Sequence, residues 1–155
     1  MGLWIVKAVT SLDGKWIATQ NGLNYILLSK SVSGSITTAY TLNFSLSTTT
    51  LSFAYNDNLL LVGLTNSSVM VYSLNHTTGS LTLKQVITTT HTANIVGRTS
   101  RFVACGSDDS ISVYYFNSVA DKYELNQSIA GVVANGCTAL DFSVGEDSIA
   151  VGDGS

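Results

Sequence analysis

Val103-Ala104-Cys105-Gly106-Ser107-Asp108-Asp109-Ser110-Ile111-Ser112-Val113-Tyr114 decides how this chain is read, because the pattern recurs. Leu61-Val62-Gly63-Leu64-Thr65-Asn66-Ser67-Ser68-Val69-Met70-Val71-Tyr72 lies 42 residues earlier. Ile17-Ala18-Thr19-Gln20-Asn21-Gly22-Leu23-Asn24-Tyr25-Ile26-Leu27-Leu28 aligns with that copy at 44 residues, and Ile149-Ala150-Val151-Gly152 follows the third at 46. Periods of about 40 to 50 residues belong to propellers and to some helical repeats.

The interior of each unit chooses between these. Short runs of Val, Ile, Leu, Tyr and Phe alternate with Asn, Asp, Gly and Ser clusters, and no run is long enough for a helix pair. In the second unit the strands are expected over Thr50 to Tyr55, Leu59 to Leu64, Val69 to Leu74 and Leu81 to Thr88. In the third they are expected over Ile95 to Gly97, Arg101 to Gly106, Ile111 to Phe116 and Tyr123 to Ile129. The turn residues between them tolerate the left-handed backbone that tight hairpins require. Four antiparallel strands per unit make a propeller blade. The expectation is an all-β chain with blades over residues 4–42, 44–90 and 92–133 and a half blade over 137–155. About three and a half blades do not close a ring, so either the propeller is longer than these residues or another polypeptide completes it. Open strand edges template further pairing, which points to an oligomer or a host assembly.

At 155 residues and 16.4 kDa the chain is one domain with room for a core. Charged residues make up 11%, against roughly 25% in an average soluble domain, so Ser and Thr carry the surface. A net charge of -3 with no basic run argues against nucleic acid as partner. No apolar window approaches the roughly 18 to 20 residues of a membrane span. The start lacks a basic region and Lys7 interrupts its apolar stretch, which argues against a secretory signal. Val6 stands where a myristoylation motif needs Ser or Thr. Cys105 and Cys137, both in strand-like contexts, are expected to be buried free thiols. A cytoplasmic address follows, with an extracellular one as the alternative because N-x-S/T patterns begin at Asn43, Asn66, Asn75 and Asn126.

Catalytic chemistry is thinly supplied, and the chain is expected not to be an enzyme. His76 lies in a turn and His91 in an inter-blade connection, neither placed for a metal cluster. A nucleophile built from Cys105 and His91 is disfavoured because Cys105 alternates with core residues. Asp108, Asp109, Glu146, Asp147 and Asp153 fall in hairpin turns, where Asp bonds its own backbone. No calcium loop and no nucleotide-binding glycine loop occurs. No catalytic, metal or cofactor residue is therefore assigned, and no cofactor is expected. Tyr115, Tyr72 and Trp4 are the candidate partner contacts. Tyr115 leads, since alternation along a strand turns it opposite to Tyr114 and Phe116.

Ala104 to Tyr114 resembles the central hairpin of a WD-repeat blade, in which a small-Gly-Ser-Asp-Asp turn leads into a strand ending in an aromatic. Leu12-Asp13-Gly14-Lys15-Trp16-Ile17-Ala18 and Phe142 to Ala150 resemble that family's connection between first and second strands. Leu28-Ser29, Tyr72-Ser73 and Tyr114-Tyr115 replace the Trp-Asp pair, so the resemblance is to a divergent member. It implies a stabilising network carried in part by His91, Ser107, Asp108 or Asp109, and Tyr114. It also implies a non-enzymatic protein-protein interaction scaffold, a subunit of a larger assembly; the alternative is an extracellular or surface module binding glycans or host proteins.

Overall fold

The computed structural model describes residues 4–54, 56–89, 95–98, 101–131 and 136–154, with 95–98 described by backbone alone. His91 and Tyr55, which the sequence reading used, lie outside the described residues. The described chain is all strand and turn. β1 (Ile5–Thr10), β2 (Trp16–Asn21), β3 (Tyr25–Val32) and β4 (Ser35–Asn43) form the first antiparallel sheet. β5 (Thr48–Ala54), β6 (Leu59–Leu64), β7 (Ser68–Leu74) and β8 (Leu81–Thr88) form the second. The third sheet holds β9 (Ile95–Arg98), β10 (Phe102–Gly106), β11 (Ser110–Asn117) and β12 (Lys122–Ala130), and β13 (Cys137–Phe142) pairs with β14 (Ile149–Asp153). Strands follow chain order in every sheet, and first strands contact one another in sequence, β1 with β5, β5 with β9 and β9 with β13. The sheets therefore fan from a common inner edge, as propeller blades do.

The register corrects the repeat spacing. Asn21 pairs with Tyr25 at the end of one central hairpin and Leu64 with Ser68 at the end of the next, so β2 and β6 stand 43 residues apart rather than 44. Ala18 corresponds to Leu61, not Val62. One residue matters here because successive strand side chains face opposite ways. Ala18 packs towards the second blade and Leu61 towards the third, whereas Val62 packs back on the first. Ala104 continues the series, packing towards β13 and β14. The β10–β11 turn is one residue shorter than the β6–β7 turn, which keeps β7 and β11 at 42 while β6 and β10 stand at 43.

Bulges recur at matching positions. The first-second pairing shifts at Ile5/Lys7, Thr48/Thr50 and Cys137/Ala139, and the third-fourth pairing at Leu28/Ser29, Val71/Tyr72 and Val113/Tyr114. A bulge increases local twist, and repeating it bends each blade alike.

Burial shows which faces are covered. Every residue of β6 is buried, because blade two has a neighbour on both sides. In β2 burial alternates, with Trp16 and Ala18 inside and Ile17 and Thr19 only half covered. No residue of β14 is buried. One apolar cluster joins blades one and two through Trp16, Ile26, Leu28, Phe53, Leu60 and Tyr72. A second joins blades two and three through Leu61, Val71, Val103, Tyr114, Phe116 and Tyr123, and a third packs Ala104, Ile111 and Val113 against Leu140, Phe142 and Ile149.

Candidate functional site

The chemistry-bearing side chains of this protein work between blades. In the β1–β2 turn the Ser11 hydroxyl donates to Asp13 Oδ1 at 2.7 Å while accepting from Trp16 N at 2.9 Å, and Asp13 also accepts from Lys15 N at 3.0 Å. These donors, the Lys15 amide first and the Ser11 hydroxyl second, hold the Asp13 carboxyl down at about 2. Ser143 and Asp147 rebuild the device in the β13–β14 turn, with Ser143 Oγ donating to Asp147 Oδ1 at 2.7 Å.

The β1–β2, β5–β6 and β13–β14 turns place a left-handed residue at a matching position, Gly14 at φ 69°, Asp57 at φ 65° and Glu146 at φ 61°, and in the second of them Asn56 at φ 51° is left-handed too. At two of the three the residue is acidic and its carboxylate reaches back one blade. Asp57 Oδ2 accepts from Leu12 N at 2.6 Å and from Asp13 N at 3.4 Å, and Asp57 is buried. Glu146 Oε2 lies 3.6 Å from Arg101 Nε of blade three. Of the acids expected in turns, Glu146 has this second task of joining one blade to its predecessor, Asp147 bonds within its own turn, and Asp153 is corrected to a strand residue at the end of β14.

Gln85 on β8 makes the other inter-blade clasp. Its Nε2 donates to Tyr123 O at 2.8 Å and its Oε1 accepts from Tyr123 N at 2.8 Å, so one side-chain amide takes both backbone groups of one residue. Trp16 Nε1 donates to His76 Nδ1 at 3.2 Å, with the rings edge to face at 6.2 Å, which gives the loop histidine an inter-blade partner. Sequence reasoning missed Asp57, Gln85 and this use of His76 because each contact spans 38 to 60 residues.

Of the expected partner contacts, Trp4 is 85% exposed. Tyr115 is half-buried, and its hydroxyl donates to Glu124 Oε2 at 3.2 Å. Tyr72 requires correction. It is buried in the first apolar cluster, edge to face with Phe44, and burial raises its phenol pKa. Alternation along β7 puts Tyr72 with Met70 and Leu74 on the face towards blade one. Cys105 and Cys137 are buried free thiols, and burial pushes Cys105 up to about 12, far from a nucleophile's range. Among the described residues no cluster of three or more His, Cys, Asp or Glu is placed to hold a metal ion, and no helix is long and apolar enough to cross a membrane.

Neither a protein-family model nor a curated protein sequence matches the chain. Solved structures do match its fold. A protein from Lactobacillus plantarum superposes with a TM-score of 0.79 at 14% identity, over 97% of this chain and 48% of that one. Sqt1 of Saccharomyces cerevisiae matches at 0.77 and 18% identity, over 94% and 40% of the two chains. The periplasmic gluconolactonase PpgL of Pseudomonas aeruginosa matches at 0.70 and 14% identity, over 83% and 40%. A gluconolactonase overturns the reading of a non-enzymatic interaction scaffold, because the same geometry serves an enzyme. The glycan-binding alternative is withdrawn with it. The WD-repeat resemblance is supported at the level of the fold: the chain is a β-propeller segment, and it spans less than half the length of each of these three structures.

Proposed function

We propose that the activity of these 155 residues is blade association: the two open faces of the segment bind further propeller blades, and the completed ring is the working unit. One observation carries this reading. Blade two, with a blade on each side, buries every residue of β6, whereas β2 leaves Ile17 and Thr19 only half covered and β14 buries none of its residues. The chain supplies its own measure of what such a face needs, namely another blade. On the open side of blade one stand Ala8, Thr10, Ile17, Thr19, Leu27 and Ser29, uncharged groups that cost little to desolvate beside a matching sheet. The low charge of the whole chain supports the same reading. Within the propeller fold we assign the blades to a divergent WD-repeat type, on the strength of the Gly106-Ser107-Asp108-Asp109 turn. In that turn Ser107 N and Oγ both donate to Ser110 O, at 2.9 and 3.1 Å.

Light scattering after size exclusion tests the proposal. The isolated chain is expected to self-associate through its open faces, and Ile17→Lys, which places an ammonium on the open side of blade one, is expected to shift it to monomer with its β circular dichroism intact. A monomeric unsubstituted chain across the micromolar range overturns the reading.

A further inference from the structure

We propose that the cleft between blade three and the β13–β14 hairpin is a docking site for the outer hairpin that completes the β13–β14 blade, and that the Gln127 side-chain amide clasps the backbone of that hairpin. The inference rests on the ring-completion reading and names the ligand at one of the two open ends. The cleft has a volume of about 190 Å³ and is lined by Phe102, Val113, Gln127, Ile129, Phe142 and Ile149.

The two complete interfaces show what such a cleft receives. On blade one the place is taken by Tyr72, Leu74 and Leu81 of the β7–β8 hairpin. On blade two it is taken by Tyr114, Phe116 and Tyr123 of the β11–β12 hairpin, packed against Leu59, Val71 and Ile87. Phe102, Val113 and Ile129 are the counterparts of Leu59, Val71 and Ile87 in blade three. The correspondence is fixed by the pairing, since Val71 faces Gln85 and Val113 faces Gln127, each just before the bulge. The cleft thus presents the surface that blade two offers to blade three.

Gln127 identifies the polar half of the recognition. Its counterpart Gln85 holds both backbone groups of Tyr123, each at 2.8 Å. Gln127 is exposed and lines the cleft. An amide side chain carries one donor and one acceptor in the spacing of a β-strand's own N–H and C=O, so it reads backbone rather than sequence. The ligand is therefore an antiparallel hairpin with a large apolar or aromatic residue at two alternate positions of its inner strand. Its outer strand begins with an apolar residue whose N–H and C=O are free to meet Gln127.

The chain's own hairpin Ser110–Ala130, made as a fluorescent peptide, is the probe, because it already fills this place on blade two. Anisotropy is measured against the Ile17→Lys protein, so that self-association does not compete. Saturable binding is expected, with Gln127→Ala weakening it by about tenfold through loss of two hydrogen bonds. A peptide carrying Tyr114→Ala, Phe116→Ala and Tyr123→Ala is expected not to bind. Equal affinity for the Gln127→Ala protein, or equal binding of the substituted peptide, overturns the inference while leaving blade association standing. No binding of the parent peptide, in a chain that still self-associates, also overturns it. If self-association is absent too, the ring reading falls with it.

Discussion

Gly79→Ala probes the inter-blade contact at its tightest point. Gly79 lies in the loop between β7 and β8 at φ 76°, and a Cβ there would fall 2.6 Å from Ala39 Cβ and 3.0 Å from Trp16 Cη2 and Cζ3. Three effects set the magnitude. A left-handed backbone costs a residue with a Cβ about 1 to 2 kcal/mol. Forcing a methyl into packed surroundings costs about 1 to 3 kcal/mol, and Trp16, 1% exposed, has no room to withdraw. Stiffening the unfolded chain returns about 0.4 to 1 kcal/mol. The net expectation is a loss of about 2 to 4 kcal/mol. Ala39→Gly isolates the steric part, because it deletes the atom at 2.6 Å at its own strand cost of about 0.5 to 1 kcal/mol. The double mutant should recover about 1 to 2 kcal/mol relative to additivity. Urea unfolding followed by Trp16 emission, in a Trp4→Phe background that leaves one indole, measures all four corners of the cycle. A coupling within about 0.5 kcal/mol of zero would refute the packing argument.

Asp57 and Asp13 offer separate tests. Asp57→Ala removes the acceptor for Leu12 N and Asp13 N and is expected to destabilise by about 1.5 to 3 kcal/mol. Asp57→Gly, which suits φ 65°, should be milder by about 1 kcal/mol; equal urea midpoints for the two would contradict a strained backbone there. Asp13, whose folded pKa is depressed to about 2, contributes stability that is fully present above its unfolded pKa near 3.8 and is lost as pH falls towards 2. The urea midpoint of Asp13→Asn should accordingly converge on that of the parent between pH 5 and pH 2, and a constant difference across that range would be the wrong result for this mechanism.

Strand positions were legible because hairpin turns are written in Asn, Asp, Gly and Ser and strand centres in β-branched and aromatic residues. The expected Leu59 to Leu64 and Leu81 to Thr88 match β6 and β8 residue for residue. Facing was not legible in blade two. Leu59-Leu60-Leu61-Val62 has no polar alternation, since both its faces are covered, so a shift of one residue left the apolar pattern unchanged and put Ala18 beside Val62. Only the hairpin ends, Asn21 with Tyr25 and Leu64 with Ser68, fix the parity. Tyr72 was misplaced for a related reason: strand alternation tells which residues share a face, but not that a blade covers both faces. The Gln85 clasp had no local signature at all, because an exposed-looking glutamine on an outer strand differs from any other until the next blade arrives.

Two of the hairpin connections differ widely in length while the strands they join keep step. Val32 pairs directly with Ser35 around a two-residue bend at Ser33 and Gly34, whereas Leu74 and Leu81 are joined by the longer segment that carries His76 and Gly79. Cohesion along such an array is a nearest-neighbour property, each sheet answering only to the one before and the one after. A rim loop can thereby lengthen with its disturbance dying out within one unit.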